Sequence, residues 1–81
     1  MNTSVFDTIQ GFLSKTFYVN PQRVKPYTRI YEDLKLSQME FLEMVMIVEN
    51  EFHVQLADGE LGNCKKINDL ARMTERALER I

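Results

Sequence analysis

Apolar residues recur at helical spacing between positions 37 and 52, and this pattern constrains the fold more than any other feature of the chain. Four of them fall on one face of a helix with 3.6 residues per turn: Phe41, Val45, Val48 and Phe52. Leu42 is expected beside this face. Ser37 followed by Glu40 gives the S-x-x-E pattern of a capping box, which predicts that the helix begins here.

The residues before this helix are predicted to form a first helix and then a long loop. The first helix should start at Ser4, with Asp7 placed as in a capping box, and bury Val5, Ile9, Phe12 and Leu13. Pro21 and Pro26 then interrupt the helical pattern, because proline lacks a backbone donor and disfavours the α region for the residue before it. A loop with one short turn after Pro21 and buried anchors accounts for the apolar residues of this segment: Val19, Val24, Ile30, Tyr31 and Leu34.

The residues after position 52 are predicted to form a short third helix and a longer last helix. The short helix should lie between the turn pairs at 58–59 and 62–63, both of which contain glycine. The last helix is expected from about Ile67 to the end, with one face made by Leu70, Met73, Ala77 and Ile81. The core should bring together Phe12, Phe41, Val45, Val48, Phe52, Ile67 and Leu70. The sequence therefore predicts an all-α fold, a small four-helix bundle in a single domain over residues 1–81.

Composition excludes several classes of protein. Ten basic and twelve acidic residues leave a formal charge of −2, which gives no reason to bind nucleic acid. The one cysteine, Cys64, excludes an internal disulfide and is expected to be a small half-buried apolar residue, with no metal site beside it. No secretory signal pattern opens the chain, and no apolar stretch approaches the ~20 residues that span a bilayer. The protein is expected to be cytoplasmic and a monomer. It is not expected to be an enzyme, since no nucleophile–base pair is present.

Three separated segments of the chain resemble the acyl carrier protein family. The segment VNPQRVKPYTRIYEDL at 19–34 is similar to the family's first loop, and EMVMIVENEF at 43–52 is similar to its second helix. The segment KINDLARM at 66–73 is similar to the opening of its last helix. The spacing agrees nearly without gaps, so the resemblance implies the family's helical bundle, with a long first loop and a short third helix.

The resemblance also implies a cofactor site that this chain has altered. The family motif at the start of the second helix is Asp-Ser-Leu, and its serine bears 4′-phosphopantetheine. The same three positions read Ser37, Gln38 and Met39 here. Gln38 at the attachment position has an amide instead of the hydroxyl that attacks coenzyme A, so no cofactor is expected. Ser37 is interpreted as the helix N-cap; the alternative is that Ser37 is a displaced attachment site, although one residue turns a side chain by about 100° around the helix.

The outward face of the second helix is the candidate docking surface. Opposite the apolar face lie Met39, Glu43, Met46 and Asn50, with Glu40 and Ile47 at the borders. The resemblance implies that this face docks on acyl-transfer or synthase enzymes with basic surfaces. Residues 36–64 contain six acids and no Lys or Arg, which agrees with that role. The alternative is that Met39 and Met46 pack under neighbouring loops.

Basic residues are concentrated outside this acidic segment. They occur in the first loop and in the last part of the chain: Arg23, Lys25, Arg29, Lys65, Lys66, Arg72, Arg76 and Arg80. We interpret these basic residues as aids to solubility. Arg76 and Arg80 are also favourably placed near a helix C-terminus.

Two functions are consistent with the sequence. In the first, the chain is an unmodified acyl-carrier-like protein that docks on enzymes of fatty-acid, polyketide or related acyl-thioester metabolism. In the second, it is a working carrier that a phosphopantetheinyl transferase modifies on Ser37.

Overall fold

The computed structural model describes residues 4–80, which form a bundle of four α-helices. The helices are α1 (Val5–Phe17), α2 (Gln38–Phe52), α3 (Asp58–Leu61) and α4 (Ile67–Glu79), and the first loop contains a 3-10 turn at Pro21–Arg23. α1 packs against α2 and α4, and α2 packs against α4. The prediction of an all-α bundle with a long first loop and a short third helix is confirmed.

Local hydrogen bonds set the ends of the first two helices. The Oγ atom of Ser4 accepts a bond from the Asp7 amide at 3.0 Å, as the predicted start of α1 requires. α1 and α2 each end at a residue in the left-handed region, Tyr18 with φ 57° and His53 with φ 54°. The Tyr18 amide donates to the Leu13 carbonyl and the His53 amide to the Glu49 carbonyl, so both chain reversals satisfy free carbonyls of the last helical turn.

The core contains most of the residues predicted for it, with corrections on α2. Five of the seven are buried: Phe41, Val45, Val48, Ile67 and Leu70. Phe12 and Phe52 are only partly buried and pack against the edge of the core. Met44, 1% exposed, belongs to the inner face of α2, whereas Leu42 is 47% exposed and does not. The reason is angular: along a helix Met44 lies about 60° from Phe41, and Leu42 lies about 100° away on the other side.

The C-terminal half agrees with the sequence apart from two details. On α4, Leu70 and Met73 are buried and Ala77 is partly buried, while Ile81 lies outside the described residues. The pair at 58–59 begins α3 instead of forming a turn before it. Cys64 is buried, not half-buried, with its Sγ atom 3.2 Å from the Met73 sulfur. Burial raises the pKa of the Cys64 thiol to about 11, so the thiol stays protonated at neutral pH.

The first loop is attached to the start of α4 by backbone hydrogen bonds. The Ile30 amide donates to the Lys65 carbonyl, and the Ile67 amide donates to the Thr28 carbonyl, both at 2.9 Å. Between these bonds Arg29 and Lys66 form an isolated antiparallel bridge. Of the predicted loop anchors, Val24 and Ile30 are buried and Val19 and Leu34 partly buried. Tyr31 is instead 39% exposed, its ring edge-on against Phe41.

Candidate functional site

Ser37 lies immediately before α2 and caps it. Its Oγ atom accepts a hydrogen bond from the Glu40 amide at 3.0 Å, and its own amide donates to Glu40 Oε1 at 2.8 Å. The Ser37 backbone is extended, with φ −77° and ψ 165°, so the residue stands outside the helical conformation. Both halves of the predicted capping box are present, and Ser37 is therefore part of the structure that starts α2.

Gln38 is the first residue of α2, and its side chain is exposed. It borders a surface groove of about 510 Å³ between the first loop, α2 and α3, whose other lining residues are Tyr31, Phe41, Leu42, Asp58, Leu61 and Gly62. A carboxamide at this point can donate and accept hydrogen bonds, but it has no hydroxyl oxygen that could attack a phosphorus atom. The hydroxyl nearest to the helix start along the chain belongs to Ser37, one residue outside the helix.

The outer face of α2 exposes apolar side chains between polar ones. Met39 is 73% exposed and Met46 is 62% exposed, and Glu43 and Asn50 are exposed between and beyond them. Glu40 and Ile47 are partly exposed at one border. At the other border lies Leu42, although the sequence pattern predicts it beside the inner face of the helix. We call Met39, Leu42, Glu43, Met46 and Asn50 together the α2 stripe.

Leu42 is the member of the α2 stripe that sequence reasoning missed. A side chain about 100° from the centre of the buried face can turn inward or outward, so helical periodicity alone does not assign it. Its outward neighbour Met46 follows at the i+4 position, the spacing at which two side chains meet on a helix surface. That spacing was the signal in the sequence that joins Leu42 to the exposed methionines.

Some of the carboxylates near the α2 stripe form hydrogen bonds within the chain and others do not. Glu40 is bonded to the Ser37 amide, and Glu49 Oε2 accepts from the Leu56 amide at 2.8 Å. Glu43, Glu51, Asp58 and Glu60 are exposed, and salt bridges within residues 4–80 involve none of them. Residues 36–64 contain no Lys or Arg, so Glu43 and Glu51 have no cationic neighbour along the chain. Asp58 and Glu60 instead border surface grooves that basic residues of the last segment also line: Arg72, Arg76 and Arg80.

Other kinds of site find no support in the part of the chain that the structure describes. Within residues 4–80 no three His, Cys, Asp or Glu residues come together as a metal would require. None of the helices over the same residues has the length and apolar character to cross a bilayer.

Comparison with known proteins places the chain in a family. Residues 7–74 match the family described as phosphopantetheine attachment site. The acyl carrier protein of Wolinella succinogenes is 29% identical over 72 residues, which cover 89% of this chain and 95% of the relative. The acyl carrier protein of Campylobacter concisus is 30% identical over 73 residues, covering 90% and 95%. That of Onion yellows phytoplasma is 32% identical over 66 residues, covering 82% and 87%.

The names of these relatives agree with the functional class expected from the sequence. They are named as carriers and not as enzymes, which confirms the expectation that this chain is not an enzyme. The family match extends from α1 into α4, so it includes all of α2 and α3, most of α1 and more than half of α4. The chain therefore belongs to the phosphopantetheine attachment site family and is similar throughout its bundle to bacterial acyl carrier proteins.

Proposed function

We propose that this protein is an acyl-carrier-like docking module that receives no phosphopantetheine arm at position 38. Its partners are acyl-transfer or synthase enzymes with basic docking surfaces. A phosphopantetheinyl transferase belongs to them only as an enzyme that recognises α2. The cytoplasm is the compartment in which we place this role. The observation that supports the proposal best is the exposed Gln38 amide at the first position of a fully capped α2.

The chemistry of the two side chains at the start of α2 does not fit a covalently attached arm. Attachment requires an oxygen nucleophile that loses a proton and forms a phosphodiester. The Gln38 amide provides no such oxygen nucleophile. The Ser37 Oγ atom accepts a hydrogen bond from the Glu40 amide. The Ser37 backbone lies outside the helix, so the Ser37 side chain points in a different direction from a side chain at position 38.

Without an attached arm, docking on partner proteins is the function that the α2 stripe supports. Methionine side chains are flexible and polarizable, so they suit surfaces that adapt to a partner. Met39 and Met46 lie among exposed carboxylates, and a partner with basic residues around an apolar groove would match both features. Such an interface would form quickly at low ionic strength and weaken as salt rises.

Intact mass after incubation with coenzyme A and a phosphopantetheinyl transferase tests the attachment part of the proposal. We expect no mass gain for the wild type and a gain of one arm for Gln38→Ser. The pair Ser37→Asp with Gln38→Ser restores the family's Asp-Ser order and should react more completely. A wild type that gains the arm, and loses the gain on Ser37→Ala, would overturn the proposal in favour of a working carrier with a displaced serine.

Binding to a synthase that accepts acyl carrier proteins tests the docking part. Glu43→Lys combined with Met46→Ala should abolish binding in a calorimetric titration while the helical circular dichroism stays unchanged. Glu75→Lys makes the same charge change on an exposed position of α4 and should bind like the wild type. Equal affinity of all three proteins would move the docking surface away from the α2 stripe.

A further inference from the structure

We propose that this protein associates with a second copy of itself, a basic patch on one copy binding the acidic outer face of α2 on the other. The basic patch consists of Lys25, Tyr27, Lys65 and Lys66. This self-association does not depend on whether an arm is attached, and it departs from the monomer expected from composition. It would cover the α2 stripe, so it would compete with the enzyme partners of the proposed function.

Backbone pairing between the first loop and the start of α4 builds the basic patch. The bonds from Ile30 to Lys65, from Ile67 to Thr28 and from Asn68 to Pro26, each 2.9 Å, hold residues 26–30 beside residues 65–68. Arg29 and Lys66 are directly opposite in this antiparallel contact, which puts their side chains on one face. Thr28 and Ile67 are buried on the other face.

The lysines of the basic patch form no salt bridge within residues 4–80. Lys25, Lys65 and Lys66 are exposed, and within residues 4–80 the salt bridges are made by Arg29 alone, to Glu32 at 2.6 Å and Asp33 at 3.1 Å. This leaves the three lysines without an internal carboxylate partner.

Glu32 and Asp33 line a surface groove together with Lys25 and Tyr27, and both are paired with Arg29. A third carboxylate, that of Asp69, lies next to Lys65 and Lys66. Its Oδ2 atom accepts the Lys65 and Lys66 amides at 3.0 Å each, and these bonds lower the pKa of Asp69. Five cations on this surface outnumber the three carboxylates and leave it positive: Arg23, Lys25, Arg29, Lys65 and Lys66. Tyr27 adds an aromatic ring that is 71% exposed and lines the same groove as Lys25.

The outer face of α2 is the surface on the same molecule that complements this patch. Glu43 lies on this face and the exposed Glu51 lies about 80° round the helix from it, and both offer carboxylates to the lysines. Met39 and Met46 offer polarizable side chains to the Tyr27 ring. Residues 36–64 contain no Lys or Arg, so no positive charge in this segment would repel the patch. Opposite charges are thus segregated on one small molecule, and this arrangement attracts copies to each other despite the net charge of −2.

Exposed ion pairs are individually weak, so the association should be weak and sensitive to salt. In sedimentation equilibrium at low ionic strength we expect the apparent mass to rise with protein concentration, and to return to that of a monomer at ~0.5 M salt, where the Debye length falls to a few ångströms. Amide chemical shifts should change with concentration in residues 25–29 and 65–66 and in α2 together.

Two charge-reversed variants test which surfaces meet. Lys25→Glu with Lys66→Glu disables the basic patch, and Glu43→Lys with Glu51→Lys disables the acidic face. Each double variant alone should lose association by at least about tenfold, because like charges then face each other. An equimolar mixture should form a one-to-one complex, since one copy still has a native acidic face and the other still has a native basic patch.

Arg76→Glu with Arg80→Glu is the control, because it changes the total charge by the same four units as Lys25→Glu with Lys66→Glu. The two positions lie toward the opposite end of α4, about 15 and 20 Å from Lys66 at 1.5 Å per residue, so this variant should associate like the wild type. A wild type that stays monomeric at low salt and high concentration would overturn the proposal. So would failure of the mixed variants to associate, association that persists at high salt, or concentration-dependent shifts confined to α2. Circular dichroism of each variant excludes loss of fold as the cause.

Discussion

Ser37 and Gln38 are neighbours in the chain, but only Ser37 has a defined partner in the fold. Ser37 exchanges two hydrogen bonds with Glu40, whereas the Gln38 side chain points to solvent at the edge of the groove by α3. A hydroxyl that caps a helix and a hydroxyl that serves as a nucleophile need different positions, since the cap must precede the helix. This difference is the residue-scale reason for preferring the unmodified interpretation.

Removing the cap should lower the stability of the whole domain. Ser37→Ala takes the acceptor away from the Glu40 amide and should reduce the free energy of unfolding by about 1 kcal/mol, measured by urea denaturation. Ser37→Asp keeps an acceptor and places a negative charge at the positive end of the helix, so it should match the wild type or exceed it slightly. Equal losses in both variants would mean that Ser37 is not the cap of α2 in solution.

At the scale of the element, α2 is a helix with two functions on two faces. Its inner face contacts α1 and α4 through Phe41, Met44, Val45 and Val48, and its outer face exposes the α2 stripe. Substitutions that leave the inner face intact should therefore change binding without changing the fold. The two faces alternate within single turns, so neighbouring residues of the same type make matched tests.

Met44 and Met46 provide such a matched pair. Met44→Ala should cost about 2–5 kcal/mol of unfolding free energy, because it deletes a fully buried side chain, 1% exposed. Met46→Ala removes the same atoms from a side chain 62% exposed and should change stability by no more than about 0.5 kcal/mol. Similar melting temperatures for the two variants would contradict the orientation of α2. Phe52→Ala should cost less than the roughly 3–5 kcal/mol of a fully buried phenylalanine, because Phe52 lies at the edge of the core.

At the scale of the whole molecule, the first loop is joined to the start of α4 by three backbone hydrogen bonds. Gln10 of α1 also donates to the Pro21 and Val24 carbonyls at 2.8 and 3.1 Å, so the loop is bonded to helices at both of its sides. Together with buried Val24 and Ile30 these bonds make the loop part of the core structure. The surface of the loop, including the basic patch, therefore has a defined conformation.

Amide hydrogen exchange measures this attachment directly. The Ile30, Ile67 and Asn68 amides donate across the contact between loop and α4 and should exchange slowly, with protection approaching that of the helices. The Tyr27 amide has no backbone acceptor within residues 4–80 and serves as the internal control, which should exchange rapidly. Rapid exchange at Ile30 and Ile67 under native conditions would separate the loop from α4 and remove the basis of the basic patch.

Local features of the chain were enough to predict the helices. The cap residues Ser4 and Ser37, the prolines of the first loop and the 3.6-residue periodicity act within a few positions of each other, so they can be read without knowing the neighbours in space. The same is true of the chemical character of Gln38, whose side chain lacks a nucleophilic oxygen in any fold. The family resemblance rested on the segments 19–34, 43–52 and 66–73 and their spacing, and it is confirmed by the match over residues 7–74.

The tertiary structure decided what lies at the borders of each face and what pairs over long distances. Leu42 is outward and Met44 inward because α1 and α4 cover one arc of α2 and leave the other open, and periodicity does not give the centre of that arc. The contact of Arg29 with Lys66 joins residues far apart in the chain through backbone groups that every residue has, so no side-chain pattern announces it. The basic patch exists only through that contact, because its residues come together when loop and helix do.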